Sequence, residues 1–270
     1  MTKRMIVSVC FVLALLFVAT GCFLEIDLDD VSNTDTNTTT TQTTEPITIS
    51  NVEGKKMVVV GDSITYGTGL SQSEKRWYQY VKQRYGFESV WADAEIGRAF
   101  TRDGMSSTRF TETVKNLPKE AEVIIVFGGV NDYNFNAPIG TMADNKSDAN
   151  KGITFYAALK HAAETLRENH PTAQIIFMTP LPCNQKKEGV DARNTAGHCV
   201  RDYAEAIKTV CEFYGFDVVD LNQITNFDVE SDLWLEMYMP DGLHPNVVGV
   251  DLYLKNGVYP ALDILFELND

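Results

Sequence analysis

The chain of 270 residues is poor in cysteine and in basic residues, and each shortage excludes a class of protein. Its five cysteines include no Cys-X-X-Cys pair, so neither a disulfide scaffold nor a zinc or redox site of that kind is expected. The 23 basic residues against 37 acidic ones give a formal net charge of −14, which disfavours binding to a phosphate backbone. Nucleic acid is therefore not an expected partner.

The N-terminal apolar run, residues 5–19, is too short to cross a hydrocarbon core of ~30 Å comfortably at about 1.5 Å per residue. Two basic residues precede it, which is typical of a signal peptide. Residues 19–22, Ala-Thr-Gly-Cys, resemble the lipobox of bacterial lipoproteins. The resemblance implies removal of residues 1–21, a lipid on Cys22, and anchoring to a bacterial membrane outside the cytoplasm. Lipoboxes usually have leucine in place of Ala19, so secretion of a soluble protein stays an alternative.

A polar segment follows the predicted leader. Residues 27–50 consist almost entirely of threonine, aspartate, asparagine and serine. Such a segment cannot bury enough apolar surface to offset the entropy of ordering it. We therefore expect residues 22–52 to form a disordered tether and residues 53–270 to form a single domain.

Short apolar runs alternate with helical patterns in the predicted domain. Unbroken apolar runs are typical of strands buried on both faces of a parallel sheet, and they occupy residues 57–60 and 123–127. Three further candidate strands are residues 90–94, 174–179 and 216–221. Apolar residues at three- and four-residue spacing predict helices over residues 73–85, 155–169, 200–214 and 246–266. The alternation predicts an α/β fold, a three-layer α/β/α sandwich around a mainly parallel five-stranded sheet.

Ligands of such sheets bind beyond the carboxyl ends of the strands. Ser63 follows the first predicted strand in the sequence Gly61-Asp62-Ser63. A serine there can expose its hydroxyl group, but it needs a neighbouring base to become a nucleophile. Thr65 excludes the Gly-X-Ser-X-Gly elbow of ordinary α/β-hydrolases. The alternative is a turn in which Asp62 or Ser63 caps the next helix.

His244 is the candidate base because it lies in a loop bounded by glycine and proline, just before the last predicted helix. Asp241 could accept a hydrogen bond from its Nδ1 while Nε2 takes the serine proton. The alternative is a loop in which Asp241 caps the helix. The remaining histidines lie within or at the ends of predicted helices: His161, His170 and His198.

Hydrogen-bond donors for a developing oxyanion are expected after the second and third strands. Gly129 would allow close approach of the backbone, and Asn131 would present an uncharged side-chain amide. Gly97 could offer a backbone N–H. Taken alone, the segment around Asn131 also fits a polar turn that closes a strand.

Together these segments resemble the SGNH hydrolases, also called GDSL esterases and lipases. The matching blocks are Gly61-Asp62-Ser63, Gly129-Val130-Asn131-Asp132 and Asp241-Gly242-Leu243-His244-Pro245. The resemblance implies a flavodoxin-like fold and ester hydrolysis without a metal or organic cofactor. It implies that Ser63 is the nucleophile, His244 the base and Asp241 its partner. It places the N–H of Ser63 and the amide of Asn131 in an oxyanion hole, with Asp62 and Gly129 in supporting positions.

The second block departs from the family pattern. The family usually has an asparagine-rich turn there, whereas this chain has no asparagine and only Gly97 before Gly104. We expect Gly97 to supply the second backbone N–H, with Gly104 or a neighbour as the alternative. Because a backbone group performs this role, the altered side chains do not by themselves remove activity.

The expected substrate is a small acyl ester or an acylated glycan. A tethered, acidic esterase outside the cytoplasm would remove acetyl or other short acyl groups from carbohydrate. A lipase or lysophospholipase of the same family and a catalytically idle glycan-binding lipoprotein are the alternatives. Residues 133–151 are expected to help form the cleft beside Asn131. A disulfide between Cys183 and Cys199 is left open.

Overall fold

The computed structural model describes residues 51–101, 105–145, 154–185, 188–224 and 227–267. The strands are β1 (Lys56–Gly61), β2 (Ser89–Ala94), β3 (Val123–Phe127), β4 (Gln174–Met178) and β5 (Asp217–Val219). The helices are α1 (Ser63–Tyr66), α2 (Trp77–Tyr85), α3 (Phe110–Thr113), α4 (Val130–Asn134), α5 (Phe155–Asn169), α6 (Val200–Tyr214), α7 (Asp232–Tyr238), α8 (Val247–Tyr253) and α9 (Tyr259–Leu265). The predicted signal peptide, Cys22 and Gly104 lie outside the described residues. Val52, which we expected in the tether, is fully buried.

The five strands form one sheet in the order β2-β1-β3-β4-β5, and every neighbouring pair is parallel. This order is the flavodoxin-like one, and it confirms the predicted α/β class. The chain leaves β1 toward one edge of the sheet and leaves β3 toward the other. The carboxyl ends of β1 and β3 therefore flank the switch point where ligands bind in such folds.

Helices cover both faces of the sheet because consecutive strand residues point to opposite sides. Val58 and Ile124 pack into a cluster with residues of α3, α5 and α6. Val59 and Ile125 pack into a second cluster with residues of α2, α8 and α9. Every residue of β3 is buried, which explains its unbroken apolar sequence. The predicted three layers follow from this arrangement.

Element boundaries differ from prediction where side chains compete for the backbone. The first long helix begins at Trp77 rather than at residue 73, because Arg76 holds the preceding segment in a turn. Its guanidinium donates to the carbonyls of Tyr66, Ser71 and Glu74. The predicted last helix is divided into α8, a π-helical segment (Leu254–Val258) and α9.

Helix α7 was not predicted from the sequence, and the predicted β5 extends beyond the observed strand. In the structure β5 ends at Val219, and Asp220 accepts a hydrogen bond from Thr179 Oγ1 at 3.0 Å. A 3₁₀ turn over Leu221–Gln223 follows and bends the chain away from the sheet. The residues after β5 therefore leave the strand earlier than their apolar character indicates.

All cysteines of the described ranges are buried free thiols: Cys183, Cys199 and Cys211. The disulfide considered between Cys183 and Cys199 is not formed in the structure. Cys199 is the N-cap of α6, and its backbone N–H donates to Asp202. Among the helices of the described residues, none has the length and apolarity needed to cross a membrane.

Candidate active site

Ser63 is the first residue of α1, directly after the turn that ends β1. Asp62 caps this helix by accepting a hydrogen bond from the N–H of Ile64 at 3.0 Å. A Cβ atom at position 61 would lie 2.0 Å from Thr65 Oγ1, so the tight turn requires Gly61. The capping alternative and the exposed-hydroxyl prediction therefore describe one turn, in which Asp62 caps and Ser63 lies at a cavity.

Ser63, His244 and Asp241 form a continuous row of hydrogen bonds. Nε2 of His244 lies 2.9 Å from Oγ of Ser63, and its Nδ1 lies 2.6 Å from Oδ2 of Asp241. The other oxygen of Asp241 accepts the backbone N–H groups of Leu243 and His244 at 3.0 and 2.7 Å. The carboxylate is thus oriented by its own loop, and the imidazole is oriented by the carboxylate.

The charge of Asp241 follows from these bonds. Its partial burial opposes ionisation, but hydrogen bonds from the His244 side chain and from the two backbone N–H groups outweigh burial and lower its pKa to about 2. Asp241 is therefore a carboxylate at neutral pH. A carboxylate in this position can stabilise an imidazolium and select the tautomer that leaves Nε2 free to accept a proton.

Three N–H groups at the same cavity are candidate oxyanion donors: those of Ser63, Gly97 and Asn131. The backbone N–H groups of Ser63 and Gly97 have no acceptor among the described residues. Gly97 has a φ of +76°, a conformation that favours glycine, and its carbonyl accepts the N–H of Met105 at 3.0 Å. Asn131 Nδ2 donates one hydrogen bond to the carbonyl of Arg98 at 2.9 Å. Its second N–H has no acceptor in the described part of the chain.

Asp132 is a structural residue to which sequence reasoning assigned no role. It is fully buried and accepts hydrogen bonds from Phe100 N at 3.0 Å and from Thr101 N and Oγ1 at 2.9 and 2.8 Å. These bonds fasten the chain after Gly97 to α4. Burial raises the pKa of Asp132 to about 6 and that of the equally buried Asp62 to about 7. The only sign of this role in the sequence is that Asp132 is a charged residue shortly after the apolar strand β3.

A cavity of about 300 Å³ brings most of the predicted site together. Its lining residues are Ser63, Ile96, Gly97, Met105, Asn131, Asn134, Phe135, Gln185, Leu243 and His244. Asn134 and Phe135 belong to the segment that we expected to form the cleft. Asp241 lies behind His244 and lines a neighbouring cavity of about 600 Å³, which Gln185 also borders. His161, His170 and His198 line neither cavity.

The model of a family described as GDSL-like lipase/acylhydrolase matches residues 59–252 of the chain. The structure is similar to that of a protein from Lactobacillus plantarum, with 25% sequence identity and a TM-score of 0.67 over 80% of this chain and 99% of that chain. It is similar to a lipase/acylhydrolase from Enterococcus faecalis, with 18% identity and a TM-score of 0.52 over 80% and 99%. It is also similar to the salicylyl-acyltransferase SsfX3 from a tetracycline biosynthetic pathway, with 20% identity and a TM-score of 0.55 over 79% and 55%. No curated protein matches the chain.

Proposed function

Because the chain belongs to the GDSL-like lipase/acylhydrolase (SGNH) family of carboxylic ester hydrolases, we propose that Ser63, His244 and Asp241 are its catalytic triad. The match of the family model to residues 59–252 confirms the family membership predicted from the sequence. The observation that carries the proposed roles is the hydrogen-bonded row from Ser63 Oγ through His244 to Asp241, with its serine end in a cavity. Such a row activates a hydroxyl group that is otherwise a weak nucleophile.

The first half of the reaction acylates the serine. The Ser63 proton moves to Nε2 of His244 while Oγ bonds to the ester carbonyl carbon, and the carbonyl oxygen takes up the π electron pair. The N–H groups of Ser63, Gly97 and Asn131 donate hydrogen bonds to this oxyanion. His244 then gives its proton to the leaving alcohol oxygen as the C–O bond breaks. The acyl group remains as an ester on Ser63.

The second half releases the acid. His244 removes a proton from water, whose oxygen attacks the acyl carbon, and the same donors hold the second oxyanion. Collapse of this intermediate breaks the bond to Ser63 and returns the proton from His244 to Oγ. Asp241 stabilises the positive charge on the imidazole in both halves. The protein therefore ends in its starting state.

The proposed substrate is a short acyl group, such as acetyl, on carbohydrate. The cavity adjoining Asp241 supports this proposal because amide and carboxylate residues, Gln185 and Glu236 among them, line part of its wall beside Leu235 and Pro240. Amide and carboxylate groups can hydrogen-bond the hydroxyl groups of a sugar, whereas a hydrocarbon chain offers no hydrogen-bond partner. We place the protein outside the cytoplasm, lipid-anchored through Cys22 or secreted if the lipobox is not used. This location rests on the sequence of residues 1–52 alone.

A lipase or lysophospholipase is the second candidate, and it is favoured by apolar side chains at the cavity that holds Ser63. Ile96 and Met105 line this cavity and are 52% and 76% exposed. Exposed apolar surface at a cleft can bind a longer acyl chain. The two candidates differ in the acyl length that they favour, so a series of p-nitrophenyl esters from acetate to palmitate separates them.

Ser63→Ala tests the proposed activity most directly. We expect kcat for p-nitrophenyl acetate to fall by at least about 10⁴-fold, and labelling by a fluorophosphonate to disappear, because the nucleophile is removed. The matched control is Ser73→Ala, which removes an exposed hydroxyl group that bonds to Ser71. Release of acetate from acetylated xylan by the parent protein would support the carbohydrate substrate. A folded parent protein that never labels would instead favour a catalytically idle glycan-binding protein.

A further inference from the structure

Arg98 follows Gly97 in the block that departs from the family pattern, and its side chain is only 2% exposed. Nη1 donates to the carbonyls of Gly61 and Asp93 at 3.3 and 2.9 Å. Nη2 lies 2.7 Å from Asp93 Oδ1, 3.4 Å from Glu95 Oε2 and 3.0 Å from Thr108 Oγ1. One guanidinium therefore contacts four residues on three segments of the chain.

These acceptors belong to the turns on which the candidate oxyanion donors lie. Gly61 closes β1 two residues before Ser63, and Asp93 lies at the end of β2. Glu95 and Thr108 lie on opposite sides of Gly97 in sequence. The guanidinium therefore connects the turn that carries the N–H of Ser63 to the turn that carries the N–H of Gly97.

Residues 105–108, which follow Gly97 in sequence, are hydrogen-bonded to Glu95 and Gly97. Glu95 accepts hydrogen bonds from the N–H and hydroxyl of Ser107 at 3.1 and 2.8 Å, and from the hydroxyl of Thr108 at 2.6 Å. The carbonyl of Gly97 accepts the N–H groups of Met105 and Ser106 at 3.0 and 3.3 Å. Residues 105–108 therefore pack against Gly97 and are held by Glu95, which also pairs with Arg98.

Arg98 is not placed to bind substrate itself. Both terminal nitrogens donate to protein acceptors, and the remaining nitrogen, Nε, is buried and has no hydrogen-bond partner among the residues that the structure describes. Its own backbone carbonyl accepts the hydrogen bond that orients Asn131. Arg98 is thus bonded to the turn before Ser63, adjoins Gly97 and accepts the bond from Asn131, but it does not line the cavity.

We propose that Arg98 is a positioning residue for the oxyanion hole, whose guanidinium holds the N–H groups of Ser63 and Gly97 so that both donate to one oxygen. This inference rests on the proposed esterase function. Donors that are fixed before the reaction stabilise an oxyanion without reorganising, and a displacement of about 1 Å can lower the rate about 10²-fold. The chain has no asparagine-rich turn here, and a buried arginine supplies the rigidity.

The test compares Arg98→Met, Arg98→Lys and Thr108→Val with the parent protein. Methionine removes every donor, and lysine cannot reach the four partners together. Valine at exposed position 108 removes one acceptor of Arg98 and, with the same hydroxyl, one donor to Glu95. We expect kcat for p-nitrophenyl acetate to fall about 10²-fold in Arg98→Met and less in the other two, with little change in KM. If the substitutions at buried Arg98 prevent folding, the exposed Thr108→Val variant still tests the proposal.

Inhibitors separate positioning from loss of folded protein. Oγ of Ser63 adds to the carbonyl carbon of a trifluoromethyl ketone, and the ketone oxygen becomes an oxyanion. The matching methyl ketone binds as a ground-state analogue. Across the variants we expect the Ki of the trifluoromethyl ketone to rise in proportion to KM/kcat, while the Ki of the methyl ketone stays constant. Arg84→Met is the control, because Arg84 forms an ion pair with Asp263 at 2.9 Å and does not line the cavity.

Two results would overturn the positioning role: parent-like kcat in folded Arg98→Met, or a lower kcat with an unchanged Ki for the trifluoromethyl ketone. The second result would mean that only the active fraction had decreased. Failure of the proposed esterase function has a different signature. In that case the parent protein would not hydrolyse the ester and would bind both ketones equally weakly, which would overturn both proposals.

Discussion

The acid–base half of the candidate site (Asp241 and His244) and the oxyanion half (Gly97, Arg98, Asn131 and Asp132) are built in opposite ways. Asp241 is 51% exposed, and its bonds to Leu243 and His244 stay within its own loop. The oxyanion half is buried, and several of its bonds join residues more than 30 positions apart, such as Asn131 to Arg98 and Arg98 to Gly61. The comparison teaches that one half is oriented by a local motif and the other by the packed domain.

Asp241→Asn tests whether the local half depends on its carboxylate, and we expect the largest effect of the three substitutions discussed here. Asparagine keeps the shape but does not stabilise an imidazolium, and it favours the wrong tautomer of His244. We expect kcat for p-nitrophenyl acetate to fall by about 10³–10⁴-fold. Asp251→Asn is the control, because that carboxylate is similarly exposed and pairs with Lys255 on the protein surface. A loss below about tenfold would mean that water replaces the carboxylate.

Asn131→Ala tests the buried half, with a smaller expected effect. Removal of one oxyanion donor should lower kcat by about 10²–10³-fold and leave KM nearly unchanged, because the donor acts mainly in the transition state. Asn134→Ala is the matched control, since Asn134 lines the same cavity. Equal losses in the two variants, measured by steady-state kinetics, would show that the amides shape the cavity rather than donate to the oxyanion.

Asp62→Asn tests the difference in pKa between the buried Asp62 and the more exposed Asp241, and we expect the smallest effect from it. Burial raises the pKa of Asp62 to about 7, whereas an unfolded aspartate ionises near pH 3.9. The folded state therefore binds more protons between about pH 4 and 7, and this contribution to the free energy of unfolding is lost as pH rises through 7. Asp241, with its pKa lowered to about 2, contributes stability that is lost only as pH falls through 2.

Asparagine can still accept the hydrogen bond of Ile64 but cannot ionise. We expect Asp62→Asn to reduce the decline in unfolding free energy between pH 5 and 7 by at most about 1.4 kcal/mol per pH unit. Urea denaturation at several pH values measures this slope. Identical slopes in the variant and the parent protein would mean that Asp62 ionises normally and that its burial carries no electrostatic cost.

The predicted elements that agree best with the structure are those whose signals are local. The helices over 155–169 and 200–214 match exactly, because Thr154 caps one and Gly215 ends the other. Strand β3 matches exactly because both of its faces are buried. The start of α2 and the end of β5 were wrong, since side chains of Arg76 and Asp220 reshape the backbone there. Propensity and periodicity do not include such contacts.

The sequence by itself determined the class of the sheet, the family and the residues of the predicted triad, because each is written in a short contiguous pattern. Only the tertiary structure decided that the turn around Gly97 is held by a buried Arg98 and that Asp132 fastens the chain after it to α4. The acceptors of Arg98 come together only when β1, β2 and the loop after Gly97 pack around one charge. A buried charge needs partners from several segments, and no short stretch of sequence contains them all.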